Sequence, residues 1–309
     1  MNLMKSTLLS ICLFMAIPSL TAKDKIQVWT NKESALSENP GFKLMGEYTG
    51  KLDGKDVGLQ ATVLNDSTFL VATYNGGLPG DKWDKSKIDS KVMKIDQVKE
   101  LTAKLEKVER VSPTMGAKAP ENAYMVFPDD FTNVKDGLLL AGGQTRKEVG
   151  SFKMHIEFML PFKPGRNPSN QDRGNSGVYI FNNYEIQVID SFALDFVAEN
   201  NAIKMESSNK QWCGCLYKMK LADVNMAFPA LTWQTYDIEF TAPVFEGDKK
   251  VKNAILTVYH NGVKIHDNYE LKSGTGAGAK RKQLAKGPIY FQNHGNPTVF
   301  RNVWIVETK

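Results

Sequence analysis

From Tyr124 onward, apolar and polar positions alternate with a period of two in short runs that Gly, Asn, Asp and Pro interrupt. Phe152, Met154, Ile156 and Phe158 alternate with Lys153, His155 and Glu157, the pattern of a strand with one face buried. Further runs of strand character are Gly137–Ala141, Gly177–Phe181, Tyr184–Ile189, Trp233–Phe240, Ile255–His260, Val263–His266, Ile289–Phe291 and Val299–Val306. Asn261-Gly262 between two of them is a strong hairpin signal, because both residues tolerate the left-handed backbone of a type I′ turn. Many short strands with turn chemistry between them predict a two-sheet β-sandwich or jelly roll.

The first third reads differently. Tyr48, Leu59–Leu64 and Phe69–Tyr74 are strand-like, and then the period changes. Val98, Leu101, Leu105 and Val108 recur at three-to-four spacing, which predicts one amphipathic helix over Ile95–Val111. Ser112-Pro113 ends it, since the residue before proline is pushed out of the helical region. The predicted organisation is a leader over 1–22, a small β-rich domain with one helix over 23–111, a Pro/Gly/Ala linker over 112–122, and an all-β domain over 123–309.

The leader changes the picture most. Lys5 precedes the apolar run Leu8–Ile17, which is too short to span a bilayer, and Thr21-Ala22 offers a small-residue cleavage position. This is the pattern of a secretory signal peptide, so the expected location is periplasmic or extracellular. A lipoprotein modified at Cys12 is the weaker alternative, because Ile11 stands where a small residue is needed. No later stretch is apolar enough to be a membrane span. The 309 residues carry a net charge of +5 with bases and acids interspersed, apart from Lys280-Arg281-Lys282, so no nucleic-acid footprint is present and no protein partner is implied. Cys213 and Cys215 in Trp212-Cys213-Gly214-Cys215 leave three options open: a strained bridge, two buried thiols, or part of a metal site.

The candidate chemistry centres on 173–190. Two strands joined at Asn182-Asn183 put Glu185 and Gln187 on one face, with Tyr184, Ile186 and Val188 on the other. A carboxylate beside an amide on such a strand suits a binding site. A solvated sheet face gives the same alternation. Trp212 and Trp233 offer rings for stacking on a sugar, or core packing.

At this point the residues themselves carry a resemblance. Gly174-Asn175-Ser176-Gly177-Val178-Tyr179, then Tyr184-Glu185-Ile186-Gln187-Val188-Ile189-Asp190, resemble the 3-keto-disaccharide hydrolases. Trp233-Gln234-Thr235-Tyr236-Asp237-Ile238, Thr257–Val263, Gly287–Pro297 and Phe300–Ile305 match in the same order. The family position before His294 is usually acidic; here it is Asn293. The resemblance implies a concanavalin A-like jelly roll with a carbohydrate-binding face, and cleavage of glycosides already oxidised to a ketone at C3. Such a ketone acidifies the C2 hydrogen, so a base removes it, the aglycone leaves C1, and water adds to the enone. On this reading Glu185 and His294 are the catalytic candidates, and the candidate ligands of a divalent metal ion if one stabilises the enolate. Arg173, Asn175, Gln187, Asp190 and Trp233 are the substrate-binding candidates, and an oxidised sugar or oligosaccharide is the expected partner. A non-catalytic, lectin-like carbohydrate-binding module is the principal alternative, because the same sandwich serves both roles. A conventional glycosidase, which would need two carboxylates across one bond, is a third.

Overall fold

The computed structural model describes residues 27–65, 67–127, 130–166, 171–195 and 208–308; the leader expected over 1–22 lies outside them. The N-terminal sheet comprises β1 (Gly46–Leu52), β2 (Lys55–Asn65), β3 (Thr68–Asn75), β4 (Asp89–Lys94) and β5 (Glu106–Val108), in the order β4-β3-β2-β1-β5. Helix α1 (Lys32–Glu38), capped by the Asn31 side chain, and helix α2 (Ile95–Thr102) accompany it. Two of these elements correct the sequence reading. The 32–38 helix was not foreseen, having only one buried side chain, Ala35, and hence no apolar stripe to read. The helix predicted over 95–111 ends at Thr102, and Glu106–Val108 instead pairs with β1. The apolar spacing of Leu105 and Val108 fits either geometry over so short a run.

The remaining strands are β6 (Tyr124–Met125), β7 (Val134–Lys135), β8 (Leu138–Leu140), β9 (Gly143–Gln144), β10 (Phe152–Met159), β11 (Ser176–Ile180), β12 (Tyr184–Val188), β13 (Trp233–Thr241), β14 (Val244–Glu246), β15 (Lys249–Lys252), β16 (Ala254–His260), β17 (Val263–Leu271), β18 (Ile289–Phe291) and β19 (Val299–Glu307). Apart from β14 and β15, which form a two-stranded sheet of their own, they form an all-β jelly-roll sandwich. One sheet runs β17-β16-β13-β10-β19-β8-β7, with β6 also on β19; the facing sheet runs β12-β11-β18-β9. The period of two works as expected. Met154, Ile156 and Phe158 of β10 and Tyr236, Ile238 and Phe240 of β13 meet Val178, Ile180, Ile186, Val188 and Phe291 from the opposite sheet in one buried core. Asn261 and Gly262 both have positive φ, as the hairpin signal required, and a Cβ on Gly262 would strike the Pro113 ring at 2.3 Å.

A second core lies under the N-terminal sheet and is shared with the sandwich. Leu59, Ala61, Val63, Phe69 and Val71 pack with Phe162, Phe192 and Leu231. The 112–122 stretch, read as a linker, is a strap across the outer face of the larger sheet. Ser112 Oγ meets Thr235 Oγ1 at 2.6 Å, Thr114 Oγ1 donates to Asp237 at 2.6 Å, and the Gly116 N–H donates to Glu157 at 2.7 Å. Under the strap His155 is buried, with Nδ1 2.6 Å from Asp237 Oδ1 and its ring stacked on Trp304. The polar face that the alternation of 152–158 assigns to His155 is therefore not open to solvent there: the strap, invisible to the strand's alternation, covers it.

Candidate functional site

The β11–β12 hairpin sets the site. Its turn is centred one residue earlier than the Asn182-Asn183 reading, with Phe181 and Asn182 at positive φ and the Asn183 N–H donating to Ile180 O at 3.0 Å. A buried Phe181 ring packed edge-on against Phe240 holds this unusual backbone. The resulting register places Tyr179 opposite Glu185 and Gly177 opposite Gln187. All four occupy the face turned away from the core. Asn175 lies just ahead of β11, two residues before Gly177.

Glu185 is 1% exposed, and its Oε2 accepts from the Tyr179 hydroxyl at 2.6 Å. Gln292, just past β18, donates to that hydroxyl at 3.3 Å, while its own Oε1 is buried without a hydrogen-bond partner. Gly177 makes the gathering possible by having no side chain. A Cβ there would lie 2.7 Å from Glu185 Oε1 and 3.2 Å from Gln292 Oε1. The segment 214–217 pairs along the free edge of β12: Gly214 N–H donates to Gln187 O, and Tyr217 N–H to Glu185 O. It delivers Tyr217, whose hydroxyl accepts from Gln211 at 2.7 Å and contacts Gln171 at 3.4 Å. Gln171 in turn accepts from the Gln187 amide at 3.2 Å. The result is one buried carboxyl among phenols and carboxamides.

Electrostatics follow from that composition. Desolvation pushes the Glu185 pKa up to about 7, with the Tyr179 hydrogen bond and the Lys218 charge only partly opposing it. Tyr179 itself is driven well above the ordinary phenol range by burial and by the neighbouring carboxylate, so it remains a donor. Glu185 therefore changes protonation near neutrality, as an acid/base group must.

The other candidates fall in different places. Asn175 is buried, and its carboxamide has no hydrogen-bond partner among the described residues. His294 is exposed in the turn after β18, where Asn296 donates to its carbonyl at 3.3 Å; no hydrogen bond links its ring to Glu185 or Gln187 among the described residues. Arg173 and Asp190 require correction as ligand-binding groups. They form a buried ion pair at 2.6 Å, and Arg173 Nη1 also donates to Val63 O at 2.9 Å. Their charges are spent joining the sandwich to the N-terminal sheet. Trp233 also requires correction: it lies on the outer face of the opposite sheet, stacked on Arg301 at 3.9 Å. Trp212 is core. Cys213 and Cys215 are buried free thiols, Cys213 lying 3.1 Å from the Tyr236 hydroxyl.

The donor set does not suit the divalent cation for which Glu185 and His294 were candidate ligands. Among the described residues no group of three or more His, Cys, Asp or Glu side chains is gathered, and a hard cation seeks several oxygen anions. Sequence reasoning missed Tyr179, Gln292, Gln171, Gln211 and Tyr217. Hairpin register would have found Tyr179; the others come from loops whose placement no local pattern encodes.

The fold also makes acid stability measurable. His260 and His266 are fully buried, each holding one polar contact through Nε2 and none at Nδ1. Burial lowers their pKa values to about 3 and about 4. Each is neutral in the fold but binds a proton in the unfolded chain below about 6.5, so stability present above that pH is lost as pH falls. Going from pH 7 to 5 should cost on the order of 2 kcal/mol per histidine, while Glu185, whose shift has the opposite sign, returns on the order of 2 kcal/mol. The histidines win. A urea midpoint at pH 5 equal to that at pH 7 would contradict this.

Comparison with known proteins agrees with the architecture. The sequence model for the 3-keto-alpha-glucoside-1,2-lyase-like domain matches residues 112–306. A crystal structure titled as a "putative glycosyl hydrolase" from Parabacteroides distasonis is 28% identical, with TM-score 0.50, covering 62% of this chain and 85% of that one. A second so titled, from the same organism, is 21% identical with TM-score 0.41, covering 57% and 82%. The search of curated proteins gives no match. With most of the sandwich and its strap inside the matched region, the chain belongs to the 3-keto-alpha-glucoside-1,2-lyase-like family.

Proposed function

We propose that the protein is an exported enzyme that cleaves 3-keto-glycosides, with Glu185 as its acid/base group. The observation that carries this reading is a lone buried carboxyl poised near neutrality, facing carboxamides that have hydrogen-bonding capacity to spare. Ionised Glu185 takes the C2 proton of the 3-keto sugar. The electrons move to the C3 oxygen, where an amide donor such as Asn175 stabilises the enolate. Its collapse breaks the C1–O bond, and the aglycone oxygen leaves with a proton taken from solvent. Water then adds to the enone, its hydroxyl bonding to C1 and its remaining proton returning to solvent, while C2 recovers the proton held by Glu185 and the base is regenerated. Tyr179 donates to the carboxylate throughout and orients it.

The groups that act on Glu185 are Tyr179 and Lys218, with no carboxylate among them, and this supports the route over conventional glycoside hydrolysis, which uses two. The test compares 4-nitrophenyl 3-keto-glucoside with the unoxidised glucoside. Release of nitrophenol from the keto sugar alone, slowed by deuterium at C2, is the expected outcome. Binding without release would favour a carbohydrate-binding module, and equal cleavage of both sugars would overturn the mechanism.

A further inference from the structure

A groove of about 670 Å³ lies where the N-terminal sheet, the strap and the outer face of the larger sheet meet. It is separate from the Glu185 face: its sandwich wall is Trp233 and Arg301, on the opposite side of the core. The size is that of a small-molecule site. Its walls are mostly apolar, with Phe42, Met45, Met115, Leu231 and Trp233 among the lining side chains, and the Met115 thioether lies 3.6 Å from Arg301 Nη2. The Arg301 guanidinium covers one indole face at 3.9 Å and is itself held by Glu157 at 2.6 Å, so the ring is fixed.

Charge in the groove is unbalanced. Five cations line it against two carboxylates, Glu47 and Glu109. Glu47 is fully engaged by Arg110 and Gln60, and Glu109 pairs with Lys32. Arg301 is committed to Glu157. That leaves Lys43 and Lys107, neither of which has a carboxylate within ion-pair distance among the described residues. Lys107 Nζ donates to Lys43 O at 2.7 Å, its stem lying across Gly46 where any Cβ would strike it at 2.8 Å. Partial desolvation lowers its pKa, with Glu109 opposing and the Lys32 charge adding to the shift, while the side chain remains exposed at the surface.

We propose that this groove is a second binding site, for an aromatic carboxylate whose ring enters between Trp233 and the two methionine thioethers and whose anion meets Lys43 and Lys107. A fixed ring wall and thioethers favour an aromatic body over an acyl chain. A neutral sugar carries no anion to meet the two unpaired lysines, so the groove's excess of positive charge favours a carboxylate over it.

Calorimetric titration of the full chain with 2-naphthoate tests this. One-to-one binding is expected, at least tenfold tighter than for the neutral 2-naphthamide and than for laurate. The double variant Lys43→Glu/Lys107→Glu, both side chains lying at the surface, should weaken naphthoate at least tenfold while leaving 3-keto-glycoside turnover unchanged. Glu185→Gln should bind naphthoate as the parent does. No binding to the parent, equal affinity for the amide, tighter laurate binding, an unaffected double variant, or loss of binding in Glu185→Gln would each overturn the proposal.

Discussion

Glu185→Gln should lower kcat on a 3-keto-glycoside by 10²–10⁴-fold with little change in KM, the range for loss of a general acid/base group. The amide keeps the shape of the carboxyl and can still accept from Tyr179, so substrate should still bind. In the parent, kcat/KM should rise with pH through about 7, as the carboxyl ionises. The same substitution should stabilise the fold. A carboxyl whose pKa is raised from 4.5 to about 7 by burial is strained when ionised, at a cost on the order of 3 kcal/mol above pH 8. That cost vanishes below about pH 4.5, where folded and unfolded chains are both protonated. Glu185→Gln should therefore be more stable at pH 8, equal to the parent in acid, and more steeply destabilised between pH 7 and 5, because it lacks the term opposing the histidines. A variant retaining more than a tenth of parental turnover, or one less stable at pH 8, would remove Glu185 from this role.

Much of this site was open to reading in one dimension, and the reason is the strand's strict period. Once the hairpin is seen, Glu185 and Gln187 must share a face, and nothing later in the chain can alter that. The jelly roll was legible for the same reason: Phe152, Met154, Ile156 and Phe158 needed an opposing sheet, and β11, β12 and β18 supply it. What strand text lacks is any record of what lies over its outward face. His155 and Trp233 alternate like solvated or sugar-facing residues, yet one is sealed under the 112–117 strap and the other walls a groove with the N-terminal sheet. Tyr217 reaches Glu185's strand only because 214–217 pairs with the β12 edge, a contact with no local signature. Short apolar spacings failed where they were ambiguous, as at Leu105 and Val108, where strand and helix share the same positions.

Arg173 shows the other limit. An arginine next to Gly174-Asn175-Ser176 reads as a donor to a sugar oxygen, since surface and buried arginines look alike in sequence. In the fold it is 1% exposed and joins the segment after β12 to β2: Asp190, through Nε at 2.9 Å and Nη2 at 2.6 Å; and, in β2, Val63 O at 2.9 Å and Thr62 Oγ1 at 3.4 Å. Arg173→Met should therefore cost about 3–5 kcal/mol, because among the described residues it leaves the buried Asp190 carboxylate with only the Phe192 N–H at 3.3 Å to solvate it. At this chain length that corresponds to a fall in Tm of roughly 10 °C. The pair Arg173→Met/Asp190→Leu should recover part of the loss, since two apolar side chains leave no stranded charge, although Val63 O still loses its donor. Thermal unfolding of the two variants separates the roles. A ligand-contacting arginine would leave Tm within about 1 °C and raise KM instead, and the double variant would then show no recovery.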